Sequence, residues 1–579
     1  MTFVRPSALA LALSLLALPV SMGACTASAD DDDTAVGDDD FTEGSAEARA
    51  ILALVNDTRV GAGELIDHNV PSRGAKALVA HRDGPDATPA TADDDPFDTI
   101  RELKGVSGVG RVTLDRLLAY AKEKGLMGGG VKVVFSPQPA WEQSHLAQIV
   151  ALIDGAQESL DVAMYSYSDA KIGDALERAA ARGVNVRFVF ETAGEDKSLD
   201  GAALAASKSG RLEAAGVDVR YVNKIMHHKF VLVDGPRHSA DKASTARLAS
   251  GSANWSSSAA LKFDENTIVV EGGQPNLVLK FQREFDHMWS HSRDLVSKPF
   301  EQTMSTLEIT DALVGAPSDV DALFTSANFS VRDTTFSSTG ANTVADALVA
   351  AIAGAQRSIH IASGHLRSRP VAEALLAKRA AAPALDIRVY LDGQEYIAAG
   401  THRIQEQKRQ DCIERAFPSE SKIRLCNDKG FLFGYQIGEA GISVKYKYYA
   451  YRWDHSYAPQ MHHKYMVIDG ATLYSGSYNL SDNAEHATFE NMTVWRGPAN
   501  AAIVKSFEDN FESIWQTGQG KLAELDGQIE QDPRFPIVFE PMALSWSEVT
   551  ALKQKIRAKC PAVDSAAFRS NAAAHRFCE

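Results

Sequence analysis

The sequence predicts an α/β protein with two similar lobes, in which mixed sheets are flanked by helices. The lobes are related by a pseudo-twofold axis and preceded by a small helical domain. Two observations predict this architecture. Apolar strand-like runs alternate with amphipathic helical patterns, and the same order occurs twice along the chain. The string IMHHKFVLVDG at 225–235 also returns as QMHHKYMVIDG at 460–470. Together these repeats indicate an internal duplication of a βαβ unit.

Residues 1–25 have the features of an export signal. One cation precedes an apolar stretch from about Ala8 to Val20, and small residues lead to Cys25. The stretch is too short and wrongly flanked for a membrane span. MGAC at 22–25 resembles the end of a bacterial lipobox, although the Met departs from its pattern, and ordinary signal-peptidase cleavage stays open. We therefore expect an exported protein, either a bacterial cell envelope lipoprotein or a secreted one.

Residues 26–45 contain the acidic run ADDDDTAVGDDD, which predicts a solvated, disordered tether. The whole chain has 59 Lys and Arg against 75 Asp and Glu, a formal net charge of −16. This balance argues against a surface built for polyanions, because binding to a phosphate backbone depends on clustered Lys and Arg.

Residues 46–126 predict a small helical domain. Gly108-Val109-Gly110 lies between two apolar helical stretches and resembles the turn of a helix-hairpin-helix module, whose backbone N–H groups can hold a nucleic-acid phosphate. Acidic residues outnumber basic ones in this region, and such turns are common between packed helices. A structural or protein-docking domain is favoured, and DNA binding stays open.

The first lobe is predicted over 130–300 and the second over 320–520. In the first, strands and helices alternate through VKVVFSP, HLAQIVALIDGA, SLDVAMYSYS, KIGDALERAAARG and VNVRFVFE. In the second, the order returns as ADALVAAIAGA, SIHIASGHL, PVAEALLAKRAAA and LDIRVYLDG. We expect the two lobes to pack face to face.

The cysteines suit an exported protein. Apart from Cys25 there are four, which fall into two sequence-local pairs, Cys412 with Cys426 and Cys560 with Cys578. Local pairing is the simplest of three connectivities and predicts two disulfides, the second within a C-terminal extension over 521–579. Four buried free thiols are the alternative.

The duplicated motif continues beyond the two opening strings. SGSANWSSSA at 250–259 matches SGSYNLSDNA at 475–484, and a Glu-Asn pair follows each. From the first histidine of the motif to this glutamate is 38 positions in the first copy and 28 in the second. The extra ten lie within PRHSADKASTARLA, which predicts an extended hairpin loop. Without them the spacing is identical in both copies.

Two copies of H-x-K-x4-D followed by G-S-x-N resemble the phospholipase D superfamily, over about residues 130–520. Only the insertion departs from the usual spacing, and loops tolerate insertions of this kind. The matching positions are His227, Lys229, Asp234, Gly251, Ser252 and Asn254 in the first copy and His462, Lys464, Asp469, Gly476, Ser477 and Asn479 in the second.

Strand alternation predicts which histidine of each pair belongs to the site. Residues i and i+2 of a strand point to one face, so His227 should project with Lys229 and His228 should project oppositely. The same holds in the second copy, where His463 is the buried neighbour. We expect His228 and His463 to be hydrogen-bonded supports beneath the site.

Two His-x-Lys strands that meet would supply what phosphodiester chemistry needs: a nucleophile, an acid and donors for the phosphoryl oxygens. By the resemblance, His227 is the nucleophile that forms a covalent phosphohistidine and His462 is the general acid, with the reverse order open. Phosphoryl oxygens would be held by Lys229, Lys464, Asn254 and Asn479.

Glu265 and Glu490 are suited to accept a hydrogen bond from the far nitrogen of each histidine. The family pattern implies that Asp234 and Asp469 serve mainly structure, as do the Gly-Ser pairs that support the motif. No cofactor and no metal are predicted. The four imidazoles could suggest zinc, but alternation separates the neighbours.

The resemblance implies a phosphodiesterase of the phospholipase D type, a hydrolase of lipid degradation or a phosphatidyl transferase that acts on phospholipid headgroups. A phospholipid or membrane surface is the expected partner, and nucleic acid is a second possibility. A monomer suffices for the site, since one chain carries both copies. The alternatives are an extracytoplasmic nuclease of the same superfamily and a non-catalytic surface binding module.

One further stretch, VKYKYYAYRWDHSYAPQ at 444–460, interleaves aromatic residues with Lys and Arg. Such a pattern suits a lipid headgroup interface, a stacked nucleotide or a β-hairpin with cross-strand aromatic pairs.

Overall fold

The helices of the N-terminal domain have an apolar core of their own, which includes Ile51, Leu78 and Leu114. They are α1 (Ala46–Val55), α2 (Ala62–Asp67), α3 (Ser72–Arg82), α4 (Ile100–Lys104) and α5 (Arg111–Glu123). Gly108, in the turn between α4 and α5, has a φ of 86°, a conformation that favours glycine. A Cβ on Gly74 would lie only 2.6 Å from the Gly108 carbonyl oxygen. The turn therefore packs directly on α3.

The structure is a computed structural model, which describes residues 41, 46–88, 91, 93–124, 130–296, 304–427, 430–449, 458–531, 540–562 and 565–570. The predicted export signal and Cys578 lie outside the described residues, as does all of the predicted tether except Phe41.

The first lobe is built on a mixed sheet with the order β1-β8-β7-β6-β2-β3-β4-β9. The three strands β2, β3 and β4 run parallel, and the remaining pairs are antiparallel. The strands of this part of the chain are β1 (Gly130–Ser136), β2 (Ser159–Met164), β3 (Asn185–Phe190), β4 (Asp218–Tyr221), β5 (Ile225–Met226), β6 (Lys229–Val233), β7 (Arg247–Gly251), β8 (Glu265–Glu271) and β9 (Arg293–Asp294). The helices are α6 (His145–Asp154), α7 (Ala170–Ala181), α8 (Ala193–Asp196), α9 (Gly201–Ala206), α10 (Lys208–Ala214), α11 (Ser257–Leu261) and α12 (Pro275–Ser290).

The second lobe repeats this sheet with the order β10-β21-β18-β17-β13-β15-β16-β22. Its central strands β13, β15 and β16 are again parallel. The strands are β10 (Val320–Phe324), β11 (Phe329–Arg332), β12 (Thr335–Ser338), β13 (Ser358–Ser363), β14 (Leu366–Arg367), β15 (Asp386–Asp392), β16 (Ser443–Tyr448), β17 (Lys464–Ile468), β18 (Thr472–Gly476), β19 (Leu480–Ser481), β20 (Thr488–Phe489), β21 (Asn491–Trp495) and β22 (Met542–Ser545). The helices are α13 (Asp311–Val314), α14 (Thr343–Gly354), α15 (Arg369–Ala381), α16 (Ala399–Ala416), α17 (Glu420–Asn427), α18 (Gly434–Glu439), α19 (Asp482–His486), α20 (Ala501–Trp515), α21 (Lys521–Gln531), α22 (Trp546–Ala558) and α23 (Ala566–Ser570).

The matching strand orders confirm the predicted fold class of two mixed-sheet lobes after a helical domain. The C-terminal extension, predicted to begin at residue 521 as a region separate from the second lobe, contributes a strand to the sheet of that lobe. Strand β22 pairs antiparallel with β16 at the edge of the sheet, in the position that β9 occupies beside β4. The extension thus completes the second sheet.

The inserted loop between β6 and β7 differs from its prediction. These strands do pair as an antiparallel hairpin, but the loop contains a short 3-10 helix at Ala240–Ser244 and does not extend into solvent. Its Arg237 is buried and donates to Asp161 at 2.6 Å. Burial raises the pKa of Asp161, but the charges of Arg187 and Arg237 lower it below its usual range. A buried arginine needs such a partner, so the polar insertion folds onto the lobe.

The two lobes share one apolar core, which extends from Phe230 and Phe285 in the first to Tyr465 and Phe507 in the second. Two helices span the boundary between the lobes. Helix α12 contacts β2 and β6 of its own lobe and β10 of the other, while α20 contacts β13, β17 and β18 of its own lobe and β1 of the other. Each lobe therefore completes the packing of its partner.

The predicted disulfide between Cys412 and Cys426 is present and joins α16 to α17, with Cα atoms 5.7 Å apart. The second predicted pair includes Cys578, which lies outside the described residues. Of the aromatic and basic stretch at 444–460, residues 450–457 are likewise outside them.

None of the helices within the described residues combines the length and the apolar character that a membrane crossing requires.

Close approach of neighbouring strands explains the glycine of each Gly-Ser pair. A Cβ on Gly476 would lie 2.2 Å from the Asn491 carbonyl oxygen, and Gly251 meets Asn266 in the same way. We expect Gly476→Ala to destabilise the protein by about 1–3 kcal/mol through overpacking, measured as a lower midpoint of thermal unfolding. The matched control is Gly130→Ala, because Gly130 is also in a strand and has open space around its Cα. Equal melting temperatures for the two variants would contradict this explanation.

Candidate active site

The two motif segments meet where the lobes exchange backbone hydrogen bonds. Strand β5, just before His227, pairs in parallel with β20 of the other lobe. The His227 N–H donates to the Phe489 carbonyl at 3.0 Å, and the His462 N–H donates to the Asp264 carbonyl at 3.0 Å. Each histidine is thus held by the segment that leads into the glutamate of the opposite lobe.

The histidines lie just outside the strands on which the sequence placed them. Strand β6 begins at Lys229 and β17 begins at Lys464, so His227 and His462 each precede a strand by two residues. The reason is the interlobe pairing, which draws the histidine backbone away from its own sheet. The predicted alternation still holds, because the His227 side chain is 12% exposed and that of His228 is fully buried.

The histidine–glutamate pairs cross between the lobes. The Nδ1 atom of His227 lies 2.8 Å from Glu490, and the Nδ1 atom of His462 lies 2.6 Å from Glu265. Both carboxylates are buried. A carboxylate that accepts from Nδ1–H fixes the tautomer and leaves Nε2 for a reacting group.

Both lysines lie beside the histidine of their own motif. Lys229 Nζ donates to the His227 carbonyl at 2.8 Å, and Lys464 Nζ donates to the His462 carbonyl at 2.7 Å. Burial lowers the pKa of Lys229 to about 7 and that of Lys464 to about 8. An arriving phosphate would favour their charged forms, so the two ammonium groups are suited to receive its oxygens.

His228 and His463 form a second layer of contacts across the boundary between the lobes. Asn491 Nδ2 donates to His228 Nδ1 at 3.0 Å, and Asn266 Nδ2 donates to His463 Nδ1 at 3.1 Å. His228 Nε2–H also donates to Glu284 at 3.0 Å. For His463 Nε2, no hydrogen-bond partner exists among the described residues. These asparagines follow the two glutamates directly, and no sequence pattern indicated that they would contact the buried histidines.

The serines of the motif support the glutamates. The Ser252 hydroxyl accepts from the Asn266 N–H at 2.9 Å, and that of Ser477 accepts from the Asn491 N–H at 3.0 Å. Burial raises the pKa of both neighbouring carboxyls, Glu265 and Glu490, and the nearby serine hydroxyl opposes that rise in each case.

The two asparagines of the motif are partly buried at the start of the segments that follow β7 and β18. The side-chain oxygens of Asn254 and Asn479 are buried and have no hydrogen-bond partner among the described residues. A water molecule or a hydroxyl group of a substrate could donate to them, since buried polar atoms seldom stay unpaired.

The two aspartates of the motif cap a loop at the far end of the strand. Asp234 has a φ of 53° and Asp469 a φ of 58°. The Asp234 carboxylate accepts three successive backbone N–H groups at 157–159, and Asp469 does the same at 356–358. Their contacts are therefore with the fold, as the family pattern implied.

The electrostatic environments of the two halves differ. Burial raises the pKa of Glu490 to about 7, whereas attraction to His462 lowers the pKa of Glu265 despite its burial. Burial and the charges of Lys229 and Lys464 hold the pKa of His227 well below its usual value. Burial also lowers the pKa of His462, but Glu265 opposes that shift. Both site histidines are therefore held towards the neutral form, and the pKa of His227 is the more strongly lowered.

Sequence reasoning missed one residue on the first-lobe side of the site, Tyr165. The Tyr165 ring meets the His227 ring edge-on, with centroids 4.6 Å apart, and Lys229 Nζ lies 5.2 Å from the same tyrosine ring. In the other lobe the corresponding residue is Gly364, whose added Cβ would lie 3.9 Å from His462 Cδ2. Alignment of SLDVAMYSYS with SIHIASGHL would have shown this difference.

Lys447 was also missed as an individual residue, although it lies in the aromatic and basic stretch. It is buried, and its Nζ lies 3.0 Å from Asp264. Because the Asp264 carbonyl accepts from the His462 N–H, this ion pair anchors the backbone of His462.

Two groups of carboxylates and histidine could hold a metal ion among the described residues, and neither includes a residue of this site. They are His81, Asp95 and Glu102 in the N-terminal domain, and Glu213, Asp218 and Asp294 in the first lobe. Arg220 already contacts two members of the second group, at 3.1 and 3.2 Å.

Curated relatives match part of the chain. It is 33% identical over 159 residues to mitochondrial cardiolipin hydrolase of Danio rerio and 31% identical over 149 residues to that of Homo sapiens. The matches take up 27% and 25% of this chain and span 62% and 52% of the relatives' own lengths. A solved structure of phosphatidylserine synthase from Haemophilus influenzae Rd KW20 is also similar, with 13% identity, a TM-score of 0.42, and coverage of 66% of this chain and 85% of that one.

The family described as "Cardiolipin synthase, PLD-like domain" matches residues 149–289 and 348–515. The first segment contains one His-x-Lys motif and the second contains the other, and together they make up more than half of the chain. With two matching lobes and two complete motifs, the chain belongs to this phospholipase D-like family.

Proposed function

We propose that the protein is a phosphodiesterase of the phospholipase D type, which cleaves the phosphodiester between a phosphatidyl group and its headgroup alcohol. The observation that carries this proposal is the pair of imidazoles, each fixed through Nδ1 by a buried glutamate of the opposite lobe. Two imidazoles with outward Nε2 atoms and two adjacent lysines match the requirements of double displacement at phosphorus.

In the proposed reaction, His227 Nε2 attacks phosphorus and forms a P–N bond while the bond to the headgroup oxygen breaks. His462 donates its Nε2 proton to the departing alkoxide. Water then attacks the phosphohistidine as His462 takes its proton, and the P–N bond breaks. Another alcohol in place of water would give phosphatidyl transfer. The lysines and the asparagines Asn254 and Asn479 would hold the non-bridging oxygens.

The electrostatic difference between the halves supports this order of roles. A nucleophile must be unprotonated, and His227 is the histidine held more strongly in its neutral form. A general acid must carry a proton, and His462 has the more strongly ionised glutamate beside it.

A lipid substrate outside the cytoplasm is supported by several features together. The related proteins are named for cardiolipin, and the chain is strongly acidic, with a net charge of −16. The Cys412–Cys426 disulfide and the N-terminal apolar stretch suit an exported protein. We therefore propose a secreted or envelope enzyme.

A nuclease is the second candidate, favoured by the hairpin of α4 and α5 with its glycine turn. An assay on DNA at rising ionic strength tests it, because binding through phosphates weakens steeply with salt. Cleavage of DNA without release of any headgroup alcohol from phospholipid would favour a nuclease over a phospholipase.

We expect His227→Ala and His462→Ala each to lower turnover of a phospholipid by at least about 1,000-fold, because each removes a group that takes part in bond making or breaking. His228→Ala should instead mainly lower the melting temperature, since it removes buried hydrogen bonds. Headgroup release and thermal unfolding are measured for all three variants. Full activity in either of the first two would overturn the assignment.

The two histidines can be told apart with bis(p-nitrophenyl) phosphate, whose leaving group needs no acid. We expect His462→Ala to release about one equivalent of p-nitrophenol in a burst and to accumulate a phosphohistidine, because the second step lacks its base. His227→Ala should give no burst. The opposite pattern would exchange the two roles, and the absence of a burst from both variants would contradict a covalent intermediate.

The pH dependence tests the role of Glu265. The protonated fraction of His462 falls as pH rises through its pKa, so turnover of an alkyl phosphodiester should decline on the alkaline side. The negative charge of Glu265 raises the pKa of His462, against the effect of burial, and Glu265→Gln removes that charge. We therefore expect the alkaline limb of the pH–turnover profile to move to lower pH by about one unit or more. The p-nitrophenyl ester, which needs no acid, serves as the control substrate. An unmoved limb would contradict the role of His462.

A further inference from the structure

The two lobes differ in charge immediately after their equivalent strands β2 and β13. In the first lobe, the chain continues from Tyr165 through Ser166 and Ser168. In the second, it continues from Gly364, and the corresponding positions are His365 and Arg367. The segment after β2 is therefore neutral, whereas the segment after β13 carries the cation of Arg367.

The cationic segment lies beside the catalytic groups of the second lobe. The Gly364 N–H donates to the His463 carbonyl at 3.1 Å, and a Cβ on Gly364 would lie 3.7 Å from His462 Cα. Strand β14, which contains Arg367, pairs with β19, which begins one residue after Asn479. The segment that contains His365 and Arg367 thus lies beside the backbone of His462 and beside the strand that follows Asn479.

A buried glutamate fixes both side chains. Glu395 is fully buried, and its Oε1 accepts from His365 Nδ1 at 3.0 Å and from Arg367 Nε and Nη2 at 2.9 and 2.6 Å. Its Oε2 accepts from the Leu366 N–H at 3.2 Å. Burial raises the pKa of Glu395, but the hydrogen bonds from His365 and Arg367 lower it below its usual value. The carboxylate is therefore an ionised anchor for the pair.

The remaining donors of the pair are available to a ligand. The side chains of His365 and Arg367 are 31% and 32% exposed. His365 Nε2 and Arg367 Nη1 hydrogen-bond to none of the residues that the structure describes. Arg367 is held by Glu395 through Nε and Nη2, which leaves Nη1 as a donor, and His365 is held through Nδ1, which leaves Nε2. An arginine and an imidazole oriented in this way are suited to bind a phosphate group.

We propose that His365 and Arg367 form a second anion subsite, which binds a phosphate carried by the leaving alcohol of a lipid phosphodiester. The inference rests on the proposed function, because the leaving alcohol is the part of the substrate that receives the proton of His462. A phosphate on that alcohol lies on the side of His365. The phosphatidyl part lies on the side of Tyr165, where the two serines bring no charge. The site is thereby selective for a headgroup that is itself anionic.

Paired lipid substrates test this subsite in mixed micelles of the full chain. In diphosphatidylglycerol the leaving alcohol carries a phosphate, whereas in phosphatidylglycerol it is uncharged glycerol. We expect Arg367→Met to lower kcat/KM for diphosphatidylglycerol by about 10- to 100-fold, the usual loss for a charge-assisted hydrogen bond, and to change that for phosphatidylglycerol by less than about 3-fold. Arg367→Lys should recover part of the loss. Arg178→Met, which removes an ion-paired arginine remote from the site, is the matched control.

Direct binding gives a readout that does not depend on turnover. Wild-type protein should bind glycerol 1,3-bisphosphate at least about 10-fold more tightly than glycerol 3-phosphate in calorimetry, and Arg367→Met should abolish that preference. Equal losses on both lipids, no loss on either, or no preference for the bisphosphate would each overturn the subsite. A wild-type protein that fails to cleave bis(p-nitrophenyl) phosphate would contradict the proposed function separately, and the bisphosphate preference would still decide on the subsite.

Discussion

The exchange of glutamates between the lobes is the constraint on which the rest of the structure depends. Each site histidine is oriented by a carboxylate of the other lobe, with Nδ1 contacts of 2.8 and 2.6 Å. Glu265 and Glu490 are buried, and a buried carboxylate without a partner is strongly destabilising. Neither lobe can therefore form a stable half of the site alone, and the packing of the lobes becomes a condition for the chemistry.

Several layers of contact reinforce this exchange. Backbone pairing of β5 with β20 fixes the register of the His227 segment against the other lobe. Below it, Asn266 and Asn491 donate to the buried imidazoles of His463 and His228. Deeper still, α12 and α20 each pack on both lobes around a common apolar core. Contacts between the lobes thus continue from the site down to the shared apolar core.

Asymmetry is added to this symmetric frame at a few positions. The Tyr165 ring packs against His227 where the second lobe has Gly364, and the Lys447–Asp264 ion pair anchors the His462 side. Burial also raises the pKa of Glu490, whereas the charge of His462 lowers the pKa of Glu265 despite its burial. Two halves with the same motif can in this way take different parts in one reaction.

By itself the sequence determined the two-lobe fold, the duplicated motif, the faces of His227 and His228, and the Cys412–Cys426 pair. These follow from local patterns: hydrophobic period, motif spacing and short separation along the chain. Only the tertiary structure decided that the glutamates cross between lobes, that Arg237 is buried, that β22 completes the second sheet and that Glu395 anchors His365 and Arg367. Each of these depends on contacts between residues far apart in the chain, which periodicity and spacing do not encode.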